Sequence, residues 1–174
     1  MLRVVLVGIL IIISYVFQTT FSHVLSMGVA APNLIMIVVC SYALLRGRKE
    51  GMYVGFILGI LVDLYFGYYD VVGINAFLYM IIGFLVGVFH EILYLEDIFI
   101  PIAVVGVCDF AYNFIYYVIT FLLRNKLDFM YYIKAIIIPE LVYTVFLTVF
   151  IYRVLMFFNK KLEAFEKRGE KELD

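Results

Sequence analysis

The sequence feature that most constrains the fold is the stretch from Asn33 to Gly87, where three apolar runs follow one another closely. The first two runs are joined by the basic pentapeptide Arg46–Glu50, and a short aromatic link precedes the third. Glycines recur at every fourth position in these runs, and one carboxylate, Asp63, interrupts the second run. Long apolar runs with such short links are typical of helices that cross a membrane, so we interpret this stretch as the packed centre of a membrane protein.

The composition supports lipid as the solvent for most of the chain. Hydrophobic residues make up 66% of the 174 residues, and the mean hydropathy is +1.09. A soluble domain is only about half apolar, and a core this small cannot bury the excess. The formal net charge of -1 excludes a nucleic-acid-binding protein that depends on bulk positive charge.

Six apolar segments predict an all-α, polytopic membrane domain over residues 1–158, followed by a cytoplasmic helical tail over residues 159–174. No small-residue cleavage site follows the first segment, so we expect that helix to be retained. Pro139 is expected to kink the last segment or to mark its true start. The six segments are Val4–Phe21, Asn33–Leu45, Gly51–Phe66, Gly73–Leu93, Ile98–Leu123 and Ile133–Phe158.

The distribution of Lys and Arg predicts the orientation in the membrane. With both termini in the cytoplasm, ten of the 13 Lys and Arg residues lie inside and three lie outside. The turn that contains Arg46, Arg48 and Lys49 is then cytoplasmic. The inverted arrangement reverses these counts, so the excess of cations favours cytoplasmic termini.

Small residues form a stripe on two of the predicted helices. Gly51, Gly55 and Gly59 share one face of the third helix, and Gly83 and Gly87 share one face of the fourth. Glycine lets a second helix approach closely, so van der Waals contact holds the two helices together in lipid. The spacing predicts helix packing or partner binding, and the second helix can belong to this chain or to another protein.

Three carboxylates lie inside predicted helices, at Asp63, Asp109 and Glu140. A charge at the bilayer centre costs about 2.5–3.5 kcal/mol on insertion scales, so such groups usually face inward or pair. Asp63 leaves three interpretations open: a structural pair within the bundle, a protein interface, and a proton or ligand site. Asp109 is expected nearer the inner side than the other two, and Lys134 is one possible partner for Glu140.

The chain carries no motif of a hydrolytic, nucleotide-binding or redox enzyme, such as HExxH, GxSxG, a Walker sequence or CxxC. His90 and Glu91 are adjacent, so on a helix they do not face a single metal ion. We therefore expect no catalytic residues, no cofactor and no metal.

The order of small and polar residues between about positions 18 and 87 resembles the rod shape-determining protein MreD family. Each residue is a weak signal alone, whereas the ordered set is fairly specific. The set comprises Gln18, Thr19, Thr20, Pro32, Asn33, Leu34, Tyr42, Gly51, Gly55, Gly59, Asp63, Leu64, Gly67, Gly73, Asn75, Ala76 and Gly83.

The resemblance implies a non-catalytic scaffold subunit of the bacterial cell-elongation machinery in the cytoplasmic membrane. Proteins of this family bind the transmembrane helix of MreC and work beside the MreB filament, the RodA polymerase and a class B penicillin-binding protein. Their fold resembles the six-helix substrate-binding subunit of energy-coupling-factor transporters, which implies an alternative function in binding a small molecule on the outer side. That alternative needs convergent polar groups, and the outer links offer few of them: His23, Asp70, Asn75, Arg124 and Lys126.

Overall fold

A computed structural model describes residues 2–25, 31–66, 73–92, 98–120 and 129–171, and almost all of these residues are helical. No strand occurs in these ranges, so the predicted all-α class is confirmed. The α-helices are α1 (Leu2–Leu25), α2 (Leu34–Arg46), α3 (Arg48–Phe66), α4 (Ile74–Val88), α5 (Phe99–Thr120), α6 (Phe129–Tyr132) and α7 (Ile138–Lys171).

Each of the six predicted segments is helical, although the ends differ from the prediction. The α1 helix begins before Val4 and continues beyond Phe21. The α4 helix ends at Val88, where a 3-10 turn, Phe89–Glu91, follows it. Positions 121–123, predicted as the end of the fifth segment, lie outside the described residues. The α7 helix continues to Lys171, within the charged tail.

Pro139 lies at the start of a long helix. A π-helical turn, Ile133–Ile137, separates α6 from α7, and Pro139 is the second residue of α7. Proline has no N–H to donate, and its ring clashes with the carbonyl four residues earlier, so a widened turn accommodates it. Of the two outcomes expected for Pro139, the structure shows the start of a helix.

The connection between α2 and α3 is shorter than the predicted turn over Arg46–Glu50. Only Gly47 is non-helical, and it has a φ of 88°, in a region that glycine occupies without strain. Its N–H donates to the carbonyl of Ala43 at 2.8 Å. The prediction of a five-residue turn was therefore wrong, because one glycine with positive φ reverses the chain direction and lets α3 begin at once.

The α2 helix is the centre of the bundle. Every residue from Leu34 to Leu45 is buried, and α2 contacts α1, α3, α4, α5 and α7. Its 13 residues span only about 20 Å at 1.5 Å per residue, which is shorter than the hydrocarbon core of a bilayer. A helix that other helices surround does not need to match the bilayer thickness, since protein rather than lipid contacts its sides.

The outer faces of the surrounding helices are apolar. Large exposed side chains include Ile12 on α1, Phe56 on α3, Phe84 on α4, Val107 on α5 and Phe146 on α7. In the ranges given above, two helices are long and apolar enough to cross a membrane, and shorter apolar helices accompany them. The two are Phe99–Ile119 and Met130–Leu162, and the shorter ones are Val5–Thr20, Leu34–Arg46 and Ile74–Val88.

Candidate functional site

The five glycines of the predicted stripe lie where α3 and α4 meet. A Cβ atom added to Gly55 would lie closer than 3.0 Å to backbone atoms of α4, and the same holds at the other contacts between the two helices. Backbone atoms cannot move aside as the end of a flexible side chain can, so the two helices approach each other only because these positions lack a Cβ. The facing residues are Gly51 with Gly83, Gly55 with Tyr79, Gly59 with Ala76, and Gly87 with Arg48.

The glycine face is therefore covered within this chain. The two glycine faces pack against each other, so each helix fills the groove of the other. The exposed side chains of these two helices include Tyr53, Phe56 and Ile57 on α3 and Phe77 and Phe84 on α4.

Asp63 is bonded to the first turn of α4. Its side chain is only 3% exposed, and its Oδ2 accepts the backbone N–H of Ala76 at 3.0 Å. Its Oδ1 accepts the backbone N–H of Asn75 at 3.3 Å and the Nδ2 of the same residue at 3.0 Å. Gly73, the N-cap residue of α4, has no side chain to cap the helix. The Asp63 carboxylate, which belongs to α3, accepts the N–H groups that an N-cap side chain would otherwise accept. The positive end of the α4 dipole lies at the same N-terminus and also favours a negative charge there.

Asn75 extends this contact to α5. Its Oδ1 accepts the hydroxyl of Tyr112 at 2.6 Å. The Tyr112 ring stacks on Tyr79, with ring centroids 4.9 Å apart. Three helices are thus joined at one end of the bundle by a chain of buried hydrogen bonds that begins at Asp63.

Asn33 caps the start of α2 and bonds it to neighbouring helices. Its Oδ1 accepts the backbone N–H of Met36 at 3.0 Å and the hydroxyl of Tyr79 at 3.1 Å. Its own backbone N–H donates to Thr144 Oγ1 on α7 at 3.0 Å. The next residue, Leu34, donates its N–H to Gln18 Oε1 on α1 at 2.7 Å. The start of the central helix is therefore bonded to three of its neighbours.

A cavity of about 420 Å³ lies among these polar groups. The ends of α1 and α3 and the starts of α2, α4 and α7 converge there, which places it at the opposite end of the bundle from Gly47. Its polar lining residues are Gln18, Asn33, Asn75, Asn113 and Glu140. Its aromatic lining residues are Tyr79, Tyr112, Tyr116 and Tyr132.

Two further carboxylates lie at or near this cavity. Glu140 lines it, and Asp109 lies one helical turn from Asn113 on α5, where it is 0% exposed. The two carboxylates are close enough to interact electrostatically. Neither oxygen of Asp109 has a hydrogen-bond partner in the described part of the chain, although the Asn33 side chain is near enough to stabilise its charge.

Asp109 was expected nearer the inner side than Glu140. The α5 and α7 helices that carry these two residues pack together, and the two carboxylates interact electrostatically. Lys134, the candidate partner for Glu140, is exposed, and no salt bridge joins the two residues. Asp63 is bonded to α4 and takes no part in that pair.

The cations of the predicted cytoplasmic turn lie at the other end of the bundle. Arg48 and Lys49 are exposed in the first turn of α3, and Arg46 is the last residue of α2. The hydroxyl of Tyr42 donates to Glu50 Oε2 at 3.0 Å, and a ring nitrogen of His90 contacts the carbonyl of Leu44. His90 therefore has a structural contact, and no group of three or more potential metal ligands occurs among the described residues.

Several residues that build this end of the bundle were not predicted from the sequence. Tyr79, Tyr112 and Thr144 lie in apolar runs and were not singled out, while Gln18 and Asn33 entered only through the family resemblance. The usable signal is residue type, because all five carry a hydrogen-bonding group in or beside an apolar run. A shared depth predicts proximity only when the packing order of the helices is known.

Comparison with known proteins gives one match. The family model described as "rod shape-determining protein MreD" matches residues 1–162 of the chain. No curated protein and no solved structure matches it. The matched region contains every glycine and carboxylate discussed above.

Proposed function

The chain belongs to the MreD family of rod shape-determining proteins, and from that premise we propose that it is a non-catalytic, multi-pass scaffold that binds the transmembrane helix of MreC. The family assigns it a role in determining rod shape. The proposed partners beyond MreC are the MreB filament, RodA and a class B penicillin-binding protein, contacted directly or through MreC. The proposed location is the bacterial cytoplasmic membrane, with six spans and both termini in the cytoplasm.

The observation that carries the scaffold function is the match over residues 1–162 to a cell-shape family. The packing adds physical support. Buried polar groups at the cavity end are engaged in holding helix ends together, and the outer faces are apolar. Such a bundle presents several apolar helix faces on which a partner helix can pack in lipid.

The packing also restricts where MreC can bind. Because the glycine faces of α3 and α4 are filled by each other, a partner helix must contact an outer face of the bundle. Photoreactive residues placed one at a time at Phe56 on α3, Phe84 on α4 and Phe146 on α7 would identify that face. All three positions are exposed, so the probes do not disturb the interior.

The test of the scaffold function is co-purification of the full chain with an MreC protein from the same genome, combined with those probes. We expect a stable complex and crosslinks from one face only. Crosslinks of equal yield from all three faces, or no complex, would contradict specific binding of the MreC helix.

The cavity supports a second candidate, the small-molecule-binding membrane subunit of an energy-coupling-factor type transporter. It contains convergent polar groups, which the outer links alone do not provide. The two candidates are distinguished in cells that lack the gene, because the scaffold function predicts loss of rod shape with unchanged solute uptake. The transporter function predicts the reverse.

A further inference from the structure

We propose that the cavity at the Asp63 end of the bundle binds the ammonium group of an amine ligand, a property that does not depend on the binding of MreC. Its volume of about 420 Å³ lies within the range of about 300–1,000 Å³ that is typical of small-molecule sites. Gln18, Tyr116 and Glu140 are partly exposed, so the cavity can be reached from the surface of the bundle.

Several hydrogen-bond donors of the lining are engaged by acceptors within the chain. The side-chain amides of Gln18, Asn75 and Asn113 donate to acceptors within the chain, namely the carbonyl of Pro32, Asp63 Oδ1 and the carbonyl of Asp109. The hydroxyls of Tyr79 and Tyr112 donate to the side-chain oxygens of Asn33 and Asn75. A hydroxyl oxygen and a carboxylate each have more than one lone pair, so Tyr79, Tyr112 and Glu140 can accept a hydrogen bond from a ligand, and an ammonium group carries donors only.

The charges near the cavity favour the same ligand. Glu140 lines the cavity, and the residues that line it include no Lys or Arg. An ammonium group that enters the cavity can form a charge-assisted hydrogen bond with the Glu140 carboxylate, whereas an anion finds no Lys or Arg in the lining with which to pair.

The aromatic lining adds a surface that suits a cation. Tyr112 stacks on Tyr79 and on Tyr116, with ring centroids 4.9 and 5.9 Å apart respectively, and Tyr132 also lines the cavity. Cations are attracted to the faces of aromatic rings, most strongly where water is excluded. A carboxylate beside several tyrosine rings is therefore a suitable environment for a primary or quaternary ammonium group.

An ammonium group can reach the cavity from two sources, a free small amine or the headgroup of an aminophospholipid. The test uses purified full-length protein and measures binding of ethanolamine by calorimetry and binding of phosphatidylethanolamine in nanodiscs by native mass spectrometry. Binding of both identifies a site open to free amines. Binding of the phospholipid alone, above a phosphatidylglycerol control, assigns the site to a lipid headgroup, and binding of neither probe overturns the proposal.

A neutral analogue tests the chemistry without any substitution in the protein. Ethylene glycol has a hydroxyl in place of the ammonium of ethanolamine, so we expect it to bind at least about tenfold more weakly, since hydrogen bonds to charged groups are the stronger ones. Equal binding of the two compounds would overturn the assignment of a cation site. For the lipid arm, N-acylated phosphatidylethanolamine, which lacks the positive charge, serves the same purpose.

Substitution then locates the site. Glu140→Gln retains the size of the side chain and removes its charge, so we expect affinity for the probe that binds to fall by about 10- to 100-fold. Glu50→Gln makes the same chemical change at the opposite end of the bundle and should leave affinity unchanged. Equal affinity of Glu140→Gln and the natural protein would refute the role of this cavity. If the variant fails to fold, the comparison of ethanolamine with ethylene glycol still decides the question.

Discussion

Replacing Asp63 with Asn tests whether this carboxylate stabilises the bundle from within. Asparagine has nearly the same shape but presents an NH2 group in place of one carboxylate oxygen. Asp63 accepts hydrogen bonds from two backbone N–H groups and one side-chain amide of α4. In Asp63→Asn at least one of these donors loses its acceptor, and the charge that favours the N-terminus of α4 is removed.

The expected magnitude follows from the number and environment of these bonds. Hydrogen bonds to charged groups contribute about 1.5–3 kcal/mol in soluble proteins. Polar contacts between helices in membranes average about 0.6 kcal/mol and reach about 1.7. We therefore expect Asp63→Asn to lower the free energy of unfolding by about 1–2 kcal/mol, which corresponds to a decrease in Tm of about 2–8 °C for a chain of this length.

The assay is thermal melting of the purified natural protein and of Asp63→Asn, each with and without MreC. Asn75→Ala and the double variant complete a thermodynamic cycle, and we expect their effects to be non-additive because the two side chains share a hydrogen bond. An unchanged Tm for the isolated Asp63→Asn protein would refute the internal structural role. If the isolated variant were stable but did not form the complex, the Asp63 carboxylate would contribute to binding of MreC. If stability and complex formation were both unchanged and only uptake of a small molecule were lost, it would contribute to binding of a ligand.

Two further predictions concern the helix contact and the orientation. Gly55→Leu should prevent the close approach of α3 and α4 and strongly reduce folding or complex yield, whereas Gly8→Leu, where an added Cβ meets open space, should be tolerated. Equal expression, Tm and rod-shape complementation by both variants would show that the stripe is incidental. Replacing the three cations around Gly47 with neutral residues should raise the fraction of misoriented chains. The orientation is measured with a label at Lys49→Cys rather than at Gly47, because the positive φ of Gly47 disfavours any other residue. Unchanged cytoplasmic labelling would count against a role of these cations in setting the topology.

The helices could be predicted from the sequence because their determinants are local. Apolar runs of sufficient length identified the six segments, and Pro139 marked the start of the last long helix. The single-residue connection at Gly47 was not predicted, because a polar segment such as Arg46–Glu50 is equally compatible with a turn and with the first turn of a helix. Only the backbone geometry of Gly47 shows that Arg48, Lys49 and Glu50 belong to α3.

The arrangement of the site could be predicted only in part, because it depends on which helices are neighbours. The spacing of Gly55 and Gly59 placed them on one face, but it did not show that α4 covers that face. The position of Asp63 in an apolar run left a structural pair within the bundle as one of three interpretations, and it did not show that the partner is the first turn of α4. The proximity of Asp109 and Glu140 arises from the packing of α5 against α7, which no local pattern encodes.

The most direct test of the scaffold function is a single reconstitution of the full chain with a peptide that contains only the transmembrane helix of MreC. Affinity is measured in nanodiscs by energy transfer between a label at Lys49→Cys, which lies on the exposed surface of α3, and a label on the peptide. The scaffold function predicts saturable binding that an unlabelled MreC peptide competes away and that a scrambled apolar peptide does not. Energy transfer that is equal for the MreC and scrambled peptides would contradict specific recognition of the MreC helix, and with it the central claim.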